Sequence, residues 1–502
     1  MSERAEAAGA DSEVSSLSGP VSVGLSVPQP RDTRNNLLVT LAVAALAATW
    51  AGEWVALVSR SRSIAVAALV LYAVGFLALA ATRPALAVVA LVVALPLVTI
   101  EVGFGDVEKT VSGDKIAVAV VAGVWLWQRG RQAAPSLLRR PVIRWWLLLL
   151  ALVALSALAH GASRSELWGL TGAFLYFAVF ALALDLFERD PSARRHVLVA
   201  AAFTAGAVAG LGLLERLVFP GTPFYFKDGV MSPDYYSFGS TIGHTNFLAA
   251  YLALVLGPLA ALICIRAMPR RLWLVASSSA MVLMLLLARS IGALAGVAVG
   301  ALVVLFIGLA RARSRVLRAG LLVLATLTVA VAVGVTASKL SNNNSSVTVR
   351  AATLRIGLAA VQERPWLGFG TNGFPHESAR IERALFGREL LELRPANQPF
   401  SAHDAYMNVA VERGLVALIA FVALLSVIVV SGLRRSTRGD DVDRDVLIAG
   451  LLAGVVAFAA QAMTENLFSY SKVTTIFWIM AAALVSLGSR DDEAAPVAVK
   501  GS

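Results

Sequence analysis

The sequence predicts an all-α fold, a polytopic transmembrane helical bundle of about 12–14 spans with one large extracytoplasmic loop. Three observations carry that prediction. Hydrophobic residues make up 58% of the 502-residue chain and charged residues only 15%, with a mean hydropathy of +0.74; no soluble domain of this length approaches that balance. The apolar residues fall in blocks of about 20, the length that crosses a bilayer as a helix. Between two of those blocks runs one long polar stretch, 339–413. It cannot lie exposed in hydrocarbon, where each unpaired backbone group costs several kcal/mol, so it faces water.

Taken in order, residues 1–35 are rich in Ser, Ala, Glu, Asp, Pro and Gly and lack the basic-then-apolar order of a signal peptide, which reads as a disordered cytoplasmic tail. Apolar runs then mark spans at 36–58, 64–82, 84–100, 115–128, 143–160, 166–187, 195–217, 244–266, 271–288, 290–310 and 318–338. The water-facing stretch 339–413 follows, then spans at 414–433, 445–465 and 473–488, and a cytoplasmic tail at 489–502. The third and fourth spans are short or weak, so the number is twelve to fourteen.

The formal net charge of +11 is placed by its distribution. Arginines gather in short inter-helix segments: Arg129, Arg131, Arg139, Arg140 and Arg144; Arg194 and Arg195; Arg266, Arg270 and Arg271; Arg311, Arg313, Arg315 and Arg318; Arg434, Arg435 and Arg438. They recur in every second loop, the positive-inside pattern, with no basic face or aromatic platform for nucleic acid. Fourteen spans with a cytoplasmic N-terminus put all these clusters in the cytoplasm and the 339–413 loop outside. Arg60 and Arg62 run against the pattern. The chain therefore reads as a multi-pass membrane protein with a cytoplasmic N-terminus. Its single cysteine, Cys264, lies in an apolar block, and its five histidines have no metal-ligand spacing. A disulfide framework or a His/Cys metal centre is not expected, and no cofactor is predicted.

The large loop and four other outward segments (160–166, 215–243, the Arg289-Ser290 turn, and 465–472) are the places for chemistry. ATP is not found outside the membrane, and the sequence has no Walker loop or dinucleotide fingerprint. Arg289 sits between two apolar blocks on the outer side; it either marks a helix end by snorkelling or meets an anion. Arg350 and Arg355 begin an amphipathic stretch, 347–362, whose apolar side is expected to be Leu354, Ile356, Leu358 and Val361. Guanidinium groups pair in two-pronged fashion with phosphate, so these arginines suit a pyrophosphate; a solvated helix face is the plain alternative. His403 precedes the helix that leads into Gly414 and fits a general base for a hydroxyl or a capping histidine. Asp404 either orients that imidazole or caps the next helix. Glu412 and Arg413 fit an ion pair at the membrane edge. His244 and Asn246 open another span, where capping is the simpler role. Asp441-Val442-Asp443 resembles a metal-binding Asp-x-Asp but lies in a cytoplasmic loop, and reads as solvated charge and helix capping.

With those residues in place, 237–425 resembles the O-antigen ligase and polymerase superfamily of bacterial envelope glycosyltransferases. Gly239-Ser-Thr-Ile-Gly-His-Thr-Asn246 is similar to that family's glycine-rich approach to a middle span. Leu285-Leu-Leu-Ala-Arg289-Ser-Ile-Gly resembles its helix-end Ser-Arg-Gly-Ala motif, with Ala288 in place of serine. Arg350, Arg364-Pro-Trp-Leu-Gly-Phe-Gly370, His403-Asp404-Ala-Tyr-Met and Glu412-Arg-Gly414 follow the order of its large loop. Two departures stand out: Asp404 where the family usually has Asn, and no arginine just before Gly239. The resemblance implies a GT-C-like bundle and a metal-independent, inverting transfer. The donor would be a glycan on undecaprenyl pyrophosphate and the acceptor a glycan or lipid-linked hydroxyl, at the outer face of a bacterial inner membrane in which the protein is multi-pass. Arg289, Arg350 and Arg355 would grip the pyrophosphate and His403 would activate the acceptor, as in polysaccharide or lipopolysaccharide biosynthesis. Protein O-oligosaccharyltransfer, a transporter of a small solute such as bicarbonate, and a structural scaffold are the competing expectations. A transporter calls for ionisable residues at mid-membrane and paired broken helices, neither of which the sequence offers.

Overall fold

The computed structural model describes residues 38–48, 62–98, 101–103, 110–219, 226–227, 230–231, 239–265, 271–311, 344–386, 403–436 and 441–487. The expected tails 1–35 and 489–502 and the expected span 318–338 lie outside the described residues. The fold is helical. In chain order come α1 (Leu38–Ala48), α2 (Arg62–Thr82), α3 (Pro84–Leu97), α4 (Gly113–Trp125), α5 (Arg131–Leu138), α6 (Pro141–Ala159), α7 (Arg164–Arg189), α8 (Pro191–Leu217) and α9 (Thr245–Cys264). They are followed by α10 (Arg271–Ala288), α11 (Ile291–Arg311), α12 (Asn344–Glu363), α13 (Gly373–Phe386), α14 (Ala405–Arg413), α15 (Leu415–Ser436), α16 (Val442–Gln461) and α17 (Ser471–Ser486). Two short antiparallel hairpins pair 101–103 with 110–112 and 226–227 with 230–231. Eight of the described helices are long and apolar enough to cross a membrane, and three shorter ones, Leu38–Ala48, Pro84–Leu97 and Ser471–Ser486, are apolar.

Local chemistry sets the helix starts. Proline occupies the first turn of α3, α6 and α8, where its missing N–H has no helical partner to lose. Ser163 caps α7, and Asp190 caps α8 through the N–H groups of Ser192 and Ala193. Asp441 accepts from the N–H groups of Asp443 and Arg444, so the Asp-x-Asp look-alike is a helix cap.

The centre of the bundle is a backbone-to-backbone seam. A Cβ on Gly257 of α9 would collide with the Gly450 carbonyl of α16, and one on Gly296 of α11 with the Ala457 carbonyl. Small residues let membrane helices approach this closely, because van der Waals packing replaces the hydrophobic drive that lipid removes. Gly292, in the first turn of α11, lies against the side chains of Gln461 and Thr464. The seam thus fixes the start of α11 against the end of α16. Trp478, on the almost wholly buried α17, packs against Trp146, Phe180, Phe468 and Phe477.

The arginine clusters that can be placed meet at one end of the bundle. Arg129 and Arg189 face Asp185, Arg140 pairs with Glu188, Arg435 donates to the Val485 carbonyl and Arg444 to the Leu487 carbonyl. The described parts of the polar stretch sit at the other end and form α12, α13 and α14. Their small core holds Ile356, Ala360, Phe374, Ile381 and Val411. One detail of the amphipathic expectation is corrected. Leu354 and Leu358 are about half exposed, and α12 turns Ala352, Thr353, Ile356 and Ala360 inward instead.

Candidate functional site

At the loop end of the bundle three side chains converge on Glu465, in the turn that follows α16. Its side chain is 8% exposed. The Asn246 amide donates to Oε1 at 2.5 Å, and an Arg350 Nη donates to the same oxygen at 3.3 Å. His403 Nδ1 lies 3.6 Å from Oε2, at ion-pair distance. His244 feels the charges of both Glu465 and His403.

Each partner is positioned by its own element. Residues 239–246 form a tight turn in which Ser240 N–H donates to the buried Glu215 at 2.8 Å and the Ser240 hydroxyl to the Val208 carbonyl at 2.9 Å. Tyr470 donates to the Ile242 carbonyl. The turn delivers His244 as the cap of α9, its Nδ1 accepting Asn246 N–H at 3.2 Å. The Gln461 amide donates to the Asn246 carbonyl at 3.0 Å and ties α9 to the end of α16. Ala405 N–H donates to the Ala462 carbonyl at 2.8 Å, which ties the start of α14, and so His403, to the same turn. Burial holds His244 below the ordinary histidine value, and His403 pushes the same way against Glu465.

Arg289 arrives at this end through the seam: it stands two residues before Ile291, with Ser290 buried and Gly292 against Thr464. Arg289 and His403 both adopt left-handed backbone, φ +48° and +47°, which costs a non-glycine residue of order 1 kcal/mol and concentrates at functional sites.

A second network fastens the loop to the membrane helices. Phe369 N–H and Gly370 N–H donate to the Val411 and Glu412 carbonyls at 2.8 and 3.0 Å, and Leu415 N–H to the Pro365 carbonyl at 2.7 Å. Gly370 has φ +85°, and a Cβ there would collide with the Glu166 carboxylate. The 364–370 motif is therefore a wrap around the C-terminal end of α14. Arg413, 9% exposed, pairs with Glu166, 3% exposed, at 2.7 Å, and both bond Thr371. Ser156 donates to the Leu367 carbonyl at 3.0 Å.

The sequence-predicted residues divide accordingly. His403, Arg350, Asn246 and His244 are brought together, with Arg289 at the same end of the bundle. Arg355 is not: it is exposed, about 140° around α12 from Arg350 at the helical 100° per residue. Asp404 is the N-cap of α14, its Oδ1 accepting from Tyr406 N–H and Met407 N–H at 2.8 and 3.0 Å. Burial holds its carboxyl above the usual value despite those two bonds. Asn would serve as well at a cap, which accounts for the Asp404 departure. The Glu412–Arg413 expectation is corrected, because Arg413 takes Glu166 as its partner. Glu412 instead meets Asn408 and the Asn372 N–H, and burial pushes its carboxyl up to about 7. Sequence reasoning missed Glu465 as an individual residue. The one signal was an acid opening the outward segment 465–472 straight after a span.

No curated protein sequence matches the chain. Residues 276–422 match the family model described as O-antigen ligase. That segment runs from α10 through Arg289, Arg350 and His403 into α15, so the chain carries a domain of the O-antigen ligase and polymerase superfamily.

Proposed function

We propose that the chain transfers a glycan from undecaprenyl pyrophosphate to an acceptor hydroxyl, with inversion and without a metal, at the outer face of the inner membrane. The coarser class is given by the family: it is a membrane glycosyltransferase of O-antigen ligase or polymerase type. The observation that carries the finer reading is the convergence of His403, Arg350 and Asn246 on the buried Glu465, at the end of the bundle opposite the arginine clusters. By the positive-inside pattern that end is the outer one.

In this reading Glu465 holds His403 through Nδ1, leaving Nε2 to take the acceptor proton. The acceptor oxygen attacks the anomeric carbon from the face opposite the pyrophosphate. The new C–O bond forms as the bond to the pyrophosphate oxygen breaks, and undecaprenyl pyrophosphate departs with the electron pair. Arg289 and Arg350 meet the charge that builds on that leaving group, a task metal ions perform in other phosphoryl systems. Glu465 neutralises the imidazolium, which then loses its proton to water. Arg355, set apart from the cluster, has no part in holding the pyrophosphate in this reading.

The test is the anomeric configuration of the product made from a synthetic donor of defined anomer in liposomes containing EDTA. Product of inverted configuration, undiminished by EDTA, is expected. Retention, or a requirement for a divalent cation, would overturn the mechanism.

A further inference from the structure

A second concave site lies apart from the Glu465 cluster, between α4 and α7 with α17 as its floor. It is a partly open cleft with about 80 Å³ of enclosed free space, room for a stretch of one hydrocarbon chain. On α7, Glu166 and Gly169 face the Arg413 network, whereas Trp168, Gly172 and Leu175 line the cavity from another face of the helix. The two sites therefore share a helix and no lining residue.

The chemistry of the cavity is graded along its depth. Its rim is polar and sits at helix starts. The Lys115 ammonium lies over the Trp168 ring, 5.4 Å from the centroid. The buried Asp114 is engaged by the Ser471 hydroxyl. Seven residues further along α7, about 10 Å deeper, Leu175 and Val118 line the cleft, with Tyr176 and Thr475 beside them. Lysine and tryptophan at a rim with hydrocarbon below is the pattern of a membrane interface. An apolar cleft offers water few hydrogen-bond partners. Gly172 makes the space: a Cβ built there meets nothing within 4 Å.

We propose that this cavity holds one phospholipid, its hydrocarbon chain between Val118 and Leu175 and its phosphate at Lys115. Thr171, Tyr176 and Thr475 also line the cleft, but the surface it exposes is mostly apolar, and that favours a lipid over a sugar. The proposal is independent of the transfer reaction and stands or falls without it.

The experiment is native mass spectrometry of the purified full chain with phosphatidylglycerol, with diacylglycerol of the same chains, and with glycerol 3-phosphate. Wild type is expected to retain one phosphatidylglycerol after bulk lipid is stripped. Gly172→Leu, which fills the cavity without meeting protein atoms at its Cβ, should lower that occupancy at least tenfold with the thermal midpoint unchanged. Lys115→Ala should cut the preference for phosphatidylglycerol over diacylglycerol about fivefold. Equal retention by wild type and both variants overturns the site. Glycerol 3-phosphate binding as tightly as the lipid would make it a free-phosphate site and overturn the lipid assignment.

Discussion

His403 and Glu465 stand 62 positions apart in the chain and 3.6 Å apart in space, and their chemistry is tested one residue at a time. His403→Ala is expected to lower kcat by about 10²–10⁴. His403 is about half exposed, so the folded yield should be unaffected. Glu465→Gln keeps the shape of the hub and removes its charge; kcat should fall and the acid limb of the pH–rate profile should move, with folded yield maintained. A lower yield with an unmoved profile would make Glu465 structural only. Glu412 gives a different signature. Its carboxyl is held above its ordinary value of 4.5, at about 7, so between those values the folded chain binds more protons than the unfolded one. Stability is then highest below pH 4.5 and falls as pH rises to 7. Glu412→Gln should raise the thermal midpoint at pH 8 and leave it unchanged near pH 4. Of these residues the sequence made His403, Arg350 and Arg289 legible, because charge and histidine are rare at the ends of apolar blocks. Glu465 was hidden, since a single acid after a span looks like any helix end until folding brings three partners to it.

At the scale of elements, the buried Arg413–Glu166 pair fastens the loop helices to α7. Removing one partner of such a pair leaves an uncompensated buried charge, at a cost of about 3–5 kcal/mol. Arg413→Ala should therefore lower the thermal midpoint in detergent and expose α12–α14 to limited proteolysis, while unchanged proteolysis would remove the fastening role. Long apolar runs and caps such as Asp404 made the helices readable, since both are local signals. The partner of Arg413 was not readable, because Glu166 lies 247 positions away. Leu354 and Leu358 misled for a related reason: the inward face of α12 is chosen by Phe374, Ile381 and Val411, which lie on other helices.

Across the whole molecule, the arginine clusters and the Glu465 site occupy opposite ends, and the glycine seam joins them rigidly. On a Cys264→Ser background, a cysteine replacing the exposed His376 at the loop end should react with an impermeant maleimide in spheroplasts. One replacing the exposed Gln132 at the arginine end should react only after permeabilisation. The reverse pattern would invert the topology. The central claim, that the cluster around Glu465 performs glycan transfer, is tested most directly in proteoliposomes supplied with a synthetic undecaprenyl-pyrophosphate oligosaccharide and a panel of hydroxyl acceptors. Undecaprenyl pyrophosphate released by wild type, and lost in His403→Ala and Arg289→Ala at matched folding, is the predicted result; release that persists in both variants would contradict it.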